Sequence, residues 1–421
     1  MLQRFILVMS LILVVLSVDC RAFSGEGIPT NSSSQESSFL DLNMLPQGVA
    51  IGDVSSEQAF LWLRTNGPAW VRVEWAPLSL WEQVSKLATA VAPIPSTAFI
   101  ATTAETDYTL TVPLERLRPR TSYRYHVTIA DEGQSAKLLY GKLAARGEFL
   151  TPPDDKISTA VTFAWSGDLG GQGRCRQGRG GYPIFDLIQR QEIDFFLFLG
   201  DTIYADNPCP SPPNEPGADF KATTLQDYRE RHRYQHGAEA LRHFLRRVPV
   251  YVIWDDHEVR DNFSGPFDAQ MPAGRQALRE YWPIASSEED PHRMYRSVRY
   301  GADLEIFILD TRQYRSRNED QDGPGKTMLG VGQLQWLLDG LRQSKATWKV
   351  IATSVPLSVV KGSTGNDGWG SDLNGVGFAQ ERQVIVDTIL GQRIRNVVFL
   401  AGDVHWVQAN AYDPDQDGTI D

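Results

Sequence analysis

Strand-length apolar runs in this chain stop repeatedly at acidic residues, and that pattern constrains the fold more than any other feature. Ser166-Gly167-Asp168-Leu169-Gly170 follows Phe163-Ala164-Trp165, and Gly200-Asp201-Thr202-Ile203-Tyr204-Ala205-Asp206 follows Phe195-Phe196-Leu197-Phe198-Leu199. Trp254-Asp255-Asp256-His257-Glu258 ends Val250-Tyr251-Val252-Ile253, and Gly402-Asp403-Val404-His405-Trp406 ends Val397-Val398-Phe399-Leu400-Ala401. Runs apolar at every position have the composition of strands buried on both faces. Carboxylates at the carboxyl ends of such strands converge on one crevice of an α/β sheet. They are costly there unless paired or held by a cation. The pattern predicts a hydrolase that works with two metal ions.

Bulk properties narrow the class. At 421 residues the chain is long enough for two domains. A net charge of −11 argues against binding driven by the nucleic-acid backbone, so no nucleic-acid surface is expected. It argues equally against a basic membrane-surface patch. Residues 1–22 read as an export signal, with Arg4, an apolar run over 5–16 and small residues near Cys20-Arg21-Ala22. That run is shorter than a bilayer span needs, so no membrane span is expected once the signal is cleaved. The expected location is periplasmic or extracellular. Beyond the signal only Cys175 and Cys209 remain. In an exported chain they form a disulfide between two site loops or stay as free thiols, and both readings fit.

Residues 23–46 read as a flexible leader. From 47 to 152 the pattern is that of an all-β sandwich. Ala59-Phe60-Leu61-Trp62-Leu63, Val71-Arg72-Val73-Glu74-Trp75, Tyr108-Thr109-Leu110-Thr111-Val112 and a strand after Arg118-Pro119 are separated by turn signals. This stretch resembles a fibronectin type III module. Residues 158–421 alternate between strands and helices. Strands are expected at 161–165, 195–199, 250–254, 304–309, 348–352 and 397–401. A helix is expected at 333–343, where Leu334, Leu337, Leu338 and Leu341 recur.

Individual residues carry different weight. Gly52-Asp53 is a Gly-Asp pair with no metal-site company and reads as a turn. Asp168 is followed by Gly170, Gly171 and Gly173, which leave space around it. Tyr204 lies three residues past Asp201, and a phenolate is a hard anionic ligand suited to a ferric ion. His405 stands two residues past Asp403, which places both side chains on one face if the strand stays extended.

Taken together, Gly-Asp-x-Ile-Tyr at 200–204, Asp-Asp-His-Glu-Val-Arg at 255–260, Leu-Asp-Thr-Arg-Gln-Tyr-Arg at 309–315 and Gly-Asp-x-His at 402–405 resemble the alkaline phosphatase D (PhoD-like) family of the metallophosphoesterase superfamily, related to the purple acid phosphatases. The resemblance runs from about Gly48 to the end of the chain. It implies a metallophosphoesterase domain of two sheets flanked by helices, in α-β-β-α layers. It also implies one metal, Fe³⁺, on Asp168, Asp201, Tyr204 and His405, and a second on Asp201, Asp256 and Asp403. Ser354 stands where relatives carry a histidine-containing motif. The second site therefore has oxygen ligands only, which favours Ca²⁺, or Mg²⁺ or Mn²⁺, over Zn²⁺. Two cations clamp the attacking and leaving oxygens of an in-line displacement and acidify a bound water into the nucleophile. His257 is the expected charge stabiliser or general acid, oriented by Asp255 or Glu258. Arg312 is either a phosphate contact or a buried ion-pair arginine, and Asn262 is a further candidate near the site. A phosphate ester is the expected substrate.

Two other readings compete. A non-catalytic exported binding or adhesion protein would keep the scaffold and lose the chemistry. A calcium-dependent module would use residues 413–421, which match the first part of a calcium loop but lack the bidentate glutamate at position 12. Relatives run on past the position of Asp421, so further strands are expected to complete the domain.

Overall fold

The computed structural model describes residues 16–17, 39–86, 94–131, 141–171, 173–178, 180–287, 289–359, 366–370 and 375–413. Apart from the two-residue strand Leu16–Ser17, the expected signal and most of the leader lie outside the described residues, as does nearly all of the calcium-loop segment. No helix among the described residues is long and apolar enough to cross a membrane.

The runs that end in carboxylates are strands. Thr162–Ser166, Phe195–Leu199 and Val250–Ile253 pair in parallel. Leu304–Ile308, Trp348–Ala352 and Val397–Leu400 form the parallel part of a second sheet. Six carboxyl ends therefore open on two neighbouring sheet edges. The second sheet also has an antiparallel edge strand, Arg296–Tyr300, that the sequence pattern does not announce. Its Arg-Ser-Val-Arg-Tyr composition is half polar because only Val298 and Tyr300 face the core.

The two sheets face each other. Phe195 meets Tyr300 of the second sheet with ring centroids 5.2 Å apart. On the opposite face of the same sheet, Phe196 and Phe198 pack against Phe185 of helix Ile184–Gln189, and Phe196 also meets Phe244 of helix Glu239–Leu245. Phe307 of the second sheet packs outward on Trp336 of helix Gly330–Gln343, while its neighbours Ile306 and Ile308 join the core between the sheets. The order is helix, sheet, sheet, helix.

The N-terminal region packs Gln58–Arg64 and Thr109–Glu115 over a second layer formed by Ala69–Pro77, Ser122–Asp131 and Lys142–Leu150. Helix Leu78–Lys86 interrupts the all-β reading. Trp81 anchors it by packing its ring, tilted, 4.1 Å from that of His126 and donating to the Arg124 carbonyl. The first layer does not stop at the domain edge. Val49–Gly52 pairs antiparallel with Gln58–Arg64 and in parallel with Val250–Ile253, so one seven-stranded sheet runs through both regions. Ile51, Leu61 and Leu63 face the N-terminal core, whereas Ala50 and Trp62 belong to the catalytic core. Burial on both faces explains why residues 59–63 are apolar throughout.

Polar contacts lock the junction. Trp62 donates to the Glu280 carbonyl at 2.7 Å, and Arg296 pairs with Asp53 at 2.6 Å. Asp107, 7% exposed, accepts from Arg64, from Arg233 at 2.8 Å and from the Tyr281 hydroxyl. Burial alone would raise the Asp107 carboxyl, but these hydrogen bonds and the Arg64 and Arg233 charges hold it below the usual carboxylate range. A depressed folded pKa stabilises the fold fully above the unfolded value of about 3.9, and the contribution fades as pH falls through the folded value. Asp107→Ala should therefore cost about 3 kcal/mol at pH 7, and in urea titrations the gap from the parent protein should close below about pH 4. A gap that persisted unchanged in acid would mean the ionised carboxylate is not what holds the junction.

Candidate metal centre

The strand tips meet because three of the four motifs, at Asp168, Asp201 and Asp403, have a glycine before the aspartate. A Cβ on Gly402 would stand 3.0 Å from the Leu199 carbonyl, and one on Gly200 would overlap the Asp255 Cβ at 2.3 Å. Beyond these glycines the backbone turns sharply. Asp168, Asp201, Asp403 and His405 all have left-handed φ, between 51° and 73°. Aspartate tolerates this region better than most residues, and such conformations gather at functional sites. Arg231 of helix Leu225–His236 pins the Tyr204 loop by donating to the Tyr204 carbonyl and to that of Asn207.

Ligand-type atoms fall into three overlapping groups, each within 4.8 Å: Asp168, Asp201 and His405; Asp201, Asp256 and His257; and Asp255, Asp256 and Asp403. Asp201 links the first two groups and Asp256 the last two. Tyr204 joins the first group, with its hydroxyl 2.7 Å from His405 Nε2 and donating to Asp168 Oδ1 at 3.3 Å. The six expected ligands are thus brought together. His405 does not arrive on an extended strand. The strand ends at Leu400, a turn follows, and His405 goes to the Asp168 group while Asp403 goes to the Asp255 group.

The first group is the more open. His405 is exposed and Asp168 half-buried, whereas Asp201 is 2% exposed and Asp255 and Asp256 are each 1% exposed. Burial, followed by the charges of Asp256, Asp255, Glu258 and Asp168, drives the Asp201 carboxyl well above its ordinary range. Burial, followed by the charges of Asp201, Asp168 and Asp256, pushes the Tyr204 phenol up as well. Asp255 Oδ2 is buried with no hydrogen-bond partner among the described residues. A pair of hard cations would relieve this repulsion, and the oxygen-rich donor set fits them.

Of the two readings of Arg312, its surroundings are those of a buried ion-pair arginine. It is 0% exposed, with Nε 2.6 Å from Asp255 and a forked pair to Asp367 at 2.6 and 2.9 Å. Its guanidinium lies 3.8 Å from both Asp256 and Asp403. Burial disfavours its charge, but Asp255, Asp367 and Asp256 keep it protonated. It is a counter-charge behind the carboxylates. Asp367, supported also by Arg315 at 2.7 Å, carries no local motif, and only its position 55 residues from Arg312 gives it meaning.

Neither residue expected to orient His257 does so. Asp255 is taken by Arg312. Glu258 accepts from the backbone N–H groups of Asp201, Thr202 and Asp255 and so staples two strand tips together. Burial raises Glu258 to about 7, although the Thr202 and Asp255 hydrogen bonds oppose the rise. The orienting carboxylate is Asp206, whose Oδ1 lies 2.7 Å from His257 Nδ1. The second acidic residue of the Gly-Asp-Thr-Ile-Tyr-Ala-Asp run was the available signal. Asn262 contributes its backbone, donating to Asp256 Oδ2 at 2.6 Å. Ser354 hydrogen-bonds to the Thr311 hydroxyl and lies buried beneath the centre.

Cys175 and Cys209 are joined in a disulfide across a separation of 34 residues, tying the glycine-rich loop after Asp168 to the loop after Asp206.

This combination of a layered two-sheet domain with strand-tip carboxylates, a tyrosine and a histidine defines a class, and the chain belongs to the PhoD-like phosphatase family. The family matches residues 163–420, and its N-terminal domain matches residues 31–151. The chain is 28% identical over 398 residues to alkaline phosphatase D of Bacillus subtilis (strain 168), covering 85% of this chain and 64% of that protein. It therefore spans just under two thirds of that relative's length. The solved structure of PhoD is similar with a TM-score of 0.68 and 25% identity, over 90% of this chain and 73% of that one. Purple acid phosphatase PPD1 from yellow lupin (Lupinus luteus) seeds shares the fold, with a TM-score of 0.55 at 14% identity over 86% of this chain and 59% of that one. The family and the acidic and histidine clusters together imply bound metal ions.

In the metal-free protein, burial disfavours the His257 imidazolium, yet the Asp206 hydrogen bond and the Asp256 charge raise its pKa to about 9. Asp206→Asn should return it towards the ordinary value of about 6.5, as read by NMR titration of the His257 ring in EDTA. An unmoved titration would assign the raised value to another partner.

Proposed function

We propose that the chain is an exported, metal-dependent phosphoric ester hydrolase acting on phosphodiesters or phosphomonoesters. The observation that carries this reading is the chain of three ligand groups sharing Asp201 and Asp256. Asp168, Asp201, Tyr204 and His405 would hold one ion, Fe³⁺. Asp201, Asp256 and Asp403 would hold the other, Ca²⁺ or else Mg²⁺ or Mn²⁺. When bound, such a pair supplies charge neutralisation for the phosphoryl oxygens and an acidified water. The protein's own contribution is preorganisation. Arg312 and Glu258 fix the carboxylates before substrate arrives. Asp206 holds His257 Nδ1, which leaves Nε2 to stabilise a phosphoryl oxygen or protonate the leaving alcohol.

The signal-like residues 1–22 support export, and so does the Cys175–Cys209 disulfide, a bond typical of oxidising compartments. The domains we assign are 47–152, a sandwich of the fibronectin type III kind, and 158–421, the catalytic domain. Two measurements test the function together: elemental analysis of the purified protein, and hydrolysis of bis-p-nitrophenyl and mono-p-nitrophenyl phosphate. Stoichiometric metal with turnover of at least one ester is expected, whereas metal without turnover would favour a binding protein. Asp201→Asn should lose metal affinity by more than about 100-fold, because outer-sphere partners alone cost 10–100-fold. Activity should fall with it, and a variant retaining both would remove Asp201 from the bridge.

A further inference from the structure

A second concavity lies beside the carboxylate centre. It has a volume of about 450 Å³, and its walls include Arg260, Asn262, Phe267, Arg317 and Asn318. Its inner wall belongs to the scaffold of the centre itself. The Asn262 backbone N–H donates to Asp256 Oδ2 at 2.6 Å. Asn318 Nδ2 donates at 2.9 Å both to the Asn262 carbonyl and to Asp367, the carboxylate that grips Arg312. The pocket wall is thus one hydrogen bond from a proposed metal ligand.

The mouth of the pocket has a different chemistry from its wall. Phe267 is 51% exposed, and the Arg317 guanidinium carbon lies 4.2 Å from its ring centroid. Arg260 is ion-paired with the buried Asp268. A guanidinium stacked on a phenyl ring makes a flat surface that is apolar on its faces and polar at its edge. Such a surface accepts another planar group by stacking.

We propose that this pocket receives the alcohol portion of the phosphate ester and selects planar aromatic or heteroaromatic groups by stacking on the Phe267–Arg317 pair. The inference rests on the phosphoester-hydrolase reading and adds a specificity to it.

The test compares two ligands with the same head group, 4-nitrophenylphosphonate and methylphosphonate, by calorimetric titration of the full metal-loaded chain. The aryl ligand should bind roughly tenfold more tightly, the scale of one good stacking contact. Phe267→Ala and Arg317→Ala should each shrink that ratio and leave methylphosphonate affinity unchanged, with thermal melts confirming that both variants fold. Equal affinities in the parent protein, no binding of either ligand, or a preference that survives both substitutions would overturn the proposal. An aryl preference without turnover of either p-nitrophenyl ester would sink the hydrolase reading and leave the pocket assignment standing.

Discussion

The structure depends on how it tolerates several carboxylates crowded at two adjoining sheet edges. Asp201, Asp255, Asp256 and Asp403 are nearly or fully buried, and each would be strongly disfavoured alone in so dry a position. Arg312 is the internal answer, a fully buried cation shared between Asp255 and Asp367 and close to Asp256 and Asp403. One arginine, itself half spent on Asp367, does not balance the set. The remaining repulsion shows in the raised Asp201 and Glu258 carboxyls. The fold thus carries an electrostatic cost that bound cations would relieve, which would couple metal affinity to the stability of the loops around the centre.

The geometry of those loops follows from the same constraint. For carboxylates of two different sheets to reach one another, the sheet edges must approach more closely than side chains permit. Glycines 167 and 402 make that approach possible, since a Cβ on Gly167 would stand 3.4 Å from the Gly402 Cα and one on Gly402 would stand 3.0 Å from the Leu199 carbonyl. The aspartates then turn back through left-handed backbone. Gly171, at φ +94°, continues the theme, since a Cβ there would strike the Tyr204 ring at 2.4 Å. Close backbone packing places the ligands, and the cluster needs little freedom to adjust when a cation arrives.

Much of this was legible in the sequence where burial is extreme. Residues 195–199 and 250–253 are apolar on both faces; the first strand begins and ends where the pattern says, and the second stops one residue before the expected 254. The acidic tips could be read because a carboxylate after such a run has no structural excuse. Legibility failed where polar residues are buried by partners distant in sequence. Helix Leu225–His236 has no apolar stripe, yet Arg229, Arg231, His232, Gln235 and His236 are buried. Arg229 reaches Glu280, 51 residues away, at 2.7 Å. Asp206 and Asp367 were overlooked as site residues for the same reason, since each matters only through a histidine or arginine that the fold brings to it. Arg312 offered two chemically sound readings, and only its zero exposure and its pair of carboxylate partners separate them.

The N-terminal region is more than an appendage to this machinery. Its strand Val49–Gly52 extends the sheet whose next strand, Val250–Ile253, leads directly into Asp255, Asp256 and His257. Tyr251 of that strand donates to the Val54 carbonyl at 2.6 Å, and Arg296, paired with Asp53, also donates to the Val252 carbonyl at 3.0 Å. The strand that presents half of the centre is therefore braced on one side by Phe195–Leu199 and on the other by the N-terminal layer. Without that layer, Val250–Ile253 would become a sheet edge with unpaired backbone groups, and the Trp62 side of the catalytic core would be open to water. The placement of Asp256 to within hydrogen-bond distance of its partners then rests on a strand contributed by residues some 200 positions earlier, which is a physical reason for the two regions to fold as one unit.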